Sequence, residues 1–154
     1  MSTPTTPIII EVWNAIKAKI EVDFATGYSG IDLSGRVFQG RFTDAPLISS
    51  AYITFIEQTE SNGTSLTQYQ GDLRYQIYCF NYGKNNFERA TNALKLGADI
   101  HNALIEDRTL GLSAARIDNI IVETAFLDGD EFGLSNTGIA ILETRIHFVS
   151  DRGI

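Results

Sequence analysis

Chemistry in this 154-residue chain would have to begin at one cysteine, two histidines or a short acidic loop. Cys79 lies in RYQIYCFNYG, residues 74–83, between Tyr78 and Phe80. It has no Cys-x-x-Cys partner and no histidine within ten residues, so nothing nearby in sequence lowers its pKa toward the thiolate. Free cysteine is commonly buried as a small hydrophobe. A structural thiol is therefore expected, and only a partner remote in sequence would activate it. His101 falls at a helical position on an apolar stripe and His147 on the polar face of the last strand. Without companion ligands they are expected to be a core and a solvated histidine, not a metal site. In LDGDEFGLSNTG, residues 127–138, Asp128, Asp130 and Gly133 match calcium-loop positions one, three and six. Phe132 and Ile139 stand where two oxygen ligands belong, so a solvated hairpin tip is expected.

The remaining signals are weaker still. Glu57 with Glu60, and Glu106 with Asp107, fall at element ends where solvation accounts for paired carboxylates. Asn62-Gly63-Thr64 reads as a turn, although it has the form of a glycosylation sequon. No glycine-rich phosphate cradle follows a predicted strand, and no Gly-x-Ser-x-Gly elbow occurs. The expectation is a protein with no catalytic, cofactor-binding or metal-binding residues, and not an enzyme.

Length fits one domain, residues 1–154, able to bury most of its apolar surface. Twelve Lys and Arg against nineteen Asp and Glu give a formal net charge of -7. A surface of that sign repels phosphate, which disfavours direct nucleic-acid binding. One cysteine forms no internal disulfide, and MSTPTTP lacks the basic and apolar regions of a signal peptide, so a cytoplasmic protein is expected. The longest apolar run falls far short of the ~18 residues of a membrane span.

The elements that would position these residues follow from periodicity. Pro7, behind Thr5 and Thr6, opens a helix over about 7–21, with Ile9, Val12, Trp13, Ile16 and Ile20 at helical spacing. Residues 24–35, with Gly27, Gly30 and Gly35, read as a flexible loop or arm. VFQGRF, 37–42, is a short strand with Gly40 at a bulge or close approach. Pro46 leads LISSAYITFIEQ, which pairs with the strand of Cys79 across a polar tip at 58–67 marked by Asn62-Gly63. Asn85, with Glu88 three residues on, caps a helix. Phe87, Ala90, Leu94, Ala98, His101 and Leu104 or Ile105 are its expected buried stripe, and Gly97 and Ala98 let it lie close to a sheet. Strands at about 115–127 and 138–149 close the chain around a tip at 127–138. In the last, Ala140, Leu142, Ile146 and Phe148 share one face and Glu143, Arg145 and His147 the other. The expected fold is α+β: a single, mostly antiparallel sheet of four to five strands with two helices packed on one face.

Helices on one face leave the other uncovered. The strand of Cys79 sends Tyr75, Ile77 and Cys79 to one side and Tyr78, Phe80 and Tyr82 to the other. Each aromatic presents ~150–250 Å², so three bare rings approach or exceed the ~300–600 Å² patch usual on a monomer. A second copy of the chain is the expected cover, with the 24–35 loop folding back as the alternative. Tyr78, Phe80 and Tyr82, with Arg36, Val37 and Phe38 on the short strand, are the candidate subunit interface.

This order of elements resembles the tail-terminator and tail-completion proteins of long-tailed bacteriophages. The residues that carry the likeness are the N-terminal helix, the proline-led strand (Pro46 to Glu57), the polar tip, the alternating strand running into a capped Ala/Leu helix (Tyr75 to Leu104), and two closing strands. The glycine-containing segment before Val37 and the DGDE tip depart from that pattern. The resemblance implies a homo-oligomeric ring, usually of six copies, that caps the finished tail tube, ends its polymerisation and presents a joint to the head-completion (connector) protein. DNA would pass through the ring without specific binding, and no membrane is involved. It further implies assembly in the host cytoplasm and a final place in the virion tail. The rival reading is a small dimeric α+β enzyme or ligand-binding module with a pocket lined by Tyr75, Tyr78 and Tyr82.

Overall fold

The computed structural model describes residues 6–22, 27–41, 48–60, 69–112, 117–128 and 136–150. Among the described residues the elements in order are α1 (Ile8–Val22), β1 (Val37–Gln39), β2 (Ser50–Glu60), β3 (Tyr69–Tyr82), α2 (Asn86–Glu106), β4 (Ile117–Asp128) and β5 (Thr137–Ser150). The five strands form one sheet in the order β1-β2-β3-β5-β4. β1 runs parallel to β2, and the other pairs are antiparallel. The α+β architecture expected from the sequence is the one observed, with both helices against one sheet face.

α1 begins where Pro7 frees its carbonyl to accept from Ile10 N and Glu11 N, each at 3.0 Å. Ile8, Val12, Ile16 and Ile20, four apart, are all buried, as one stripe of a 3.6-residue period requires. Two polar contacts fix the helix on the sheet. Trp13 Nε1 donates to the Ile53 carbonyl at 2.9 Å, and the Tyr75 hydroxyl donates to the Ile9 carbonyl at 2.6 Å. α2 starts at Asn85, whose Oδ1 accepts from Glu88 N while Glu88 Oε2 accepts from Lys84 N. The cap anticipated at Asn85 is therefore present.

The buried face of α2 keeps Leu104 of the expected stripe and otherwise differs from it. Ala93, Leu96, Gly97, Ile100 and Leu104 face the sheet, whereas Phe87 is 78% exposed, Leu94 is 41% exposed and His101 is half-buried. α2 carries two apolar stripes, and the inner one wins because it is narrow. A Cβ built at Gly97 lies 3.0 Å from the Ala140 Cβ, and one at Gly138 would overlap the Arg89 carbonyl. Only small residues permit this approach of helix to sheet.

The segment 24–35 is also corrected where it is described. Leu33 is fully buried in the helix-side core. Buried Asp99 of α2 accepts from Tyr28 N, Ser29 N and the Ser29 hydroxyl at 2.9, 2.9 and 2.6 Å. Residues 27–33 are thus tied to the helical layer and do not fold over the opposite sheet face; 24–26 lie outside the described residues. β1 ends at Gln39, short of the expected 42, because Gly40 takes a φ of 108°. β2 begins at Ser50, and Pro46 lies outside the described residues, as do Asn62, Gly63, Asp130 and Gly133.

Candidate assembly interface

β3 is the central strand, paired with β2 on one side and β5 on the other, and its alternation divides two chemistries. Toward the helices it sends Leu73, Tyr75, Ile77 and Cys79, all fully buried. Burial pushes the Cys79 thiol and the Tyr75 phenol well up from their ordinary values. The thiolate needed for nucleophilic attack is disfavoured there. Cys79 is therefore a packed core residue, whose thiol donates weakly to the Ile77 carbonyl at 3.9 Å.

Away from the helices β3 sends Asp72, Arg74, Gln76, Tyr78, Phe80 and Tyr82. Register makes this open face two-ended. Phe38, Tyr52, Tyr78, Ile141 and Ala125 are successive cross-strand partners from β1 to β4. The next row is Ser50, Phe80, Ile139 and Leu127. Phe38 stacks on Tyr52 with centroids 5.0 Å apart, and Tyr52 meets Phe80 edge-on at 5.7 Å. The other end is charged. Arg74 bonds Glu57 at 2.6 Å and reaches Glu143 at 3.9 Å, while Glu143 accepts from Gln76, whose carbonyl accepts from the Tyr78 hydroxyl. Burial, reinforced by the Glu143 carboxylate, raises the Tyr78 pKa against the opposing charge of Arg41. Beside this network a shallow hollow of about 110 Å³ is lined by Arg74, Ile121, Glu123, Glu143, Thr144 and Arg145.

Tyr78, Phe80 and Tyr82 do share the open face, but the structure corrects the expectation that all three stand bare. Phe80 is fully buried with Ile139 and Ile141, with Tyr52 and Tyr78 packed against them. Tyr78 and Tyr82 are half-buried. The described residues flanking 42–47 touch this face, since Arg41 acts on Tyr78 and the Ile48 carbonyl accepts from the Tyr82 hydroxyl at 3.3 Å. Sequence spacing cannot report such a long-range cover. Val37 is likewise buried among the helix-side residues, because β1 turns it toward α1. Arg36 is half-buried, and Phe38 is 40% exposed on the open face. The pocket of the rival reading is not assembled: Tyr75 lies beneath the helices, on the opposite side of the sheet from Tyr78 and Tyr82.

Sequence reasoning missed Asp99 and Leu33. A lone acidic residue on the buried side of an amphipathic helix was the available signal for Asp99. Among the described residues, no group of three or more His, Cys, Asp or Glu is placed to hold a metal ion. No described helix is long and apolar enough to cross a membrane.

No protein-family model matches the chain, and no curated protein matches it in sequence. A solved structure does match in fold: a chain in the virion of a native gene transfer agent (GTA) particle. The superposition covers 90% of this chain and 95% of that one, with a TM-score of 0.62 and 13% identity. The two chains share a fold. Coverage near completeness in both directions means that the likeness in fold extends over nearly the whole of each chain.

Proposed function

We propose that this chain is a non-enzymatic structural protein of a bacteriophage-like virion. In this reading it is a subunit of a ring of six copies that caps the tail tube, ends its polymerisation and forms the joint to the head. The observation that carries the proposal is the end-to-end fold likeness to a virion chain. Two features of the molecule support it. The one thiol is packed away with its pKa pushed up, and the open sheet face carries a half-covered aromatic row with exposed Phe38 at its edge. A net charge of -7 would let DNA pass through a lumen without adhering.

The partners in this reading are further copies of the chain, a tail-tube protein below and a head-completion protein above. Assembly takes place in the host cytoplasm, and the finished ring resides in the virion tail. Co-expression with the tail-tube protein of the same genome tests the proposal. Electron micrographs should show tubes of bounded length carrying an extra ring of density at one end. Tubes that grow without limit and bind none of the protein would overturn it.

A further inference from the structure

We propose that copies join edge to edge: β1 of one copy adds, antiparallel, to the outer edge of β4 in the next, so that one sheet runs on from subunit to subunit. This deepens the ring reading above and rests on it. Among the described residues β1 and β4 are the outer strands of the sheet. β4 is 12 residues long, has neither Lys nor Pro, and keeps a regular register from Asn119 onward. A long, regular edge without such blunting is a template for a further strand.

Hydrogen-bond phase fixes how that edge can be paired. Ala51 N donates to the Arg36 carbonyl and Gly40 N to the Ile53 carbonyl, at 3.0 and 2.9 Å. Alternate residues of a strand turn their backbone groups to opposite neighbours, so Arg36, Phe38 and Gly40 face β2 while Val37 and Gln39 face away from the sheet. Carried through the pairs Tyr52–Tyr78, Ile77–Leu142 and Glu143–Glu123, the same alternation turns Ile121 and Glu123 to β5 and Ile120 and Val122 outward. On both outer strands the outward backbone groups therefore belong to residues whose side chains lie on the helix side. The two edges are in phase. They are also in the right direction: β1 is parallel to β2 and hence antiparallel to β4, so copies standing in one orientation, as in a ring, bring the edges together without turning a face over.

Side chains select the register and the partner. With Val37 opposite Val122 and Gln39 opposite Ile120, each pair exchanges both backbone hydrogen bonds. Phe38 then lies opposite Ile121 and Arg36 opposite Glu123, as the closer, non-hydrogen-bonded pairs. Phe38 and Ile121 are 40% and 47% exposed in the single copy, and Glu123 is exposed. A slip of two residues either way sets Phe38 against Glu123 or Asn119 and takes Arg36 away from Glu123. Two β4 edges are equally in phase with each other, but IDNIIVETAFLD contains no cation to meet Glu123, and that joint leaves Phe38 uncovered. The surrounding charges are mixed: Asp32 acts on Arg36, exposed Arg41 follows Gly40, Glu143 and Arg145 flank the β4 row from β5, and Arg108 bonds Asn119. Register, not net charge, singles out β1 on β4. Such a contact is heterologous, uses both edges of every copy, and ends only by closing a ring.

Disulfide trapping tests this, with circular dichroism confirming the fold of each variant. Cys79 is buried and does not interfere. A chain carrying both Phe38→Cys and Ile121→Cys should give, on oxidation, a ladder of covalent oligomers that reductant collapses to the single chain, because the two sites stand at opposite edges of one copy and can meet only between copies. Either substitution alone should give no covalent species. Arg36→Glu and Glu123→Arg supply a second measurement by sedimentation: each alone should weaken assembly about fivefold or more, and the two together in one chain should restore it. Covalent dimers from Ile121→Cys alone would show that β4 pairs with itself and overturn the proposal. A wild-type protein that assembles while the double-cysteine chain stays uncrosslinked, or while the charge swap fails to restore assembly, would overturn it and leave the ring reading standing. A wild-type protein that stays monomeric would remove both.

Discussion

The two sides of β3 differ in what buries them. Under the helices, Leu73, Tyr75, Ile77 and Cys79 are all fully buried beneath α1 and α2. On the open side only Phe80 reaches that state, and it does so laterally, against Tyr52, Tyr78, Ile139 and Ile141. A helix covers a strand along its whole length, while neighbouring side chains cover one ring at a time. The open face is consequently graded, from sealed Phe80 through half-buried Tyr78 to the Arg74 ion pairs. The same contrast recurs on α2, whose inner stripe is buried on a close-packed sheet and whose outer stripe ends in Phe87.

Phe80→Ala tests the comparison most severely. If lateral cover is as complete as helical cover, removing this ring should cost the monomer about 3–5 kcal/mol in urea unfolding. A variant of unchanged stability that fails only to assemble would return Phe80 to the exposed surface. Ile77→Val, one residue type smaller beneath the helices, should cost about 0.5–1.5 kcal/mol. The analogous Ile121→Val, at a side chain 47% exposed on the open face, should cost clearly less. Equal losses would erase the distinction between the faces.

Tyr75→Phe isolates the polar anchor beneath the helices. It leaves the Ile9 carbonyl without its donor and should cost about 1 kcal/mol. The smallest expected effect lies at the C-terminal end of α2, where hydrogen bonds from Thr109 and Gly111 hold the Asp107 carboxyl below its ordinary range. A depressed folded-state pKa contributes stability that is present above the unfolded value and lost as pH falls through the folded one. Asp107→Asn should therefore flatten the acid limb of a stability-pH curve and leave the neutral and alkaline limbs parallel to the wild type.

These faces were unequally legible in the sequence. Strict alternation places Tyr75, Ile77 and Cys79 of β3 opposite Tyr78, Phe80 and Tyr82, and Ala140, Leu142, Ile146 and Phe148 of β5 opposite Glu143, Arg145 and His147, as the structure has them, because a period of two leaves no latitude once one face is apolar. The cap at Asn85 was equally readable. The stripe of α2 was not, since two apolar stripes compete on one helix and size decides between them. Ala93 and Gly97 permit a close approach to Ala140, whereas Phe87 and Leu94 do not. Phe80 and Val37 were misread as exposed interface residues because their covers come from strands and helices distant in sequence. The alternation of β3 could state which side Phe80 faces, but not what else would reach that side.

Native mass spectrometry of the wild-type protein decides whether its copies close into a ring. One closed multi-subunit species, six times the 17.0 kDa chain mass, is expected, with no ladder of larger forms. A spectrum showing only the 17.0 kDa chain at every concentration would contradict it.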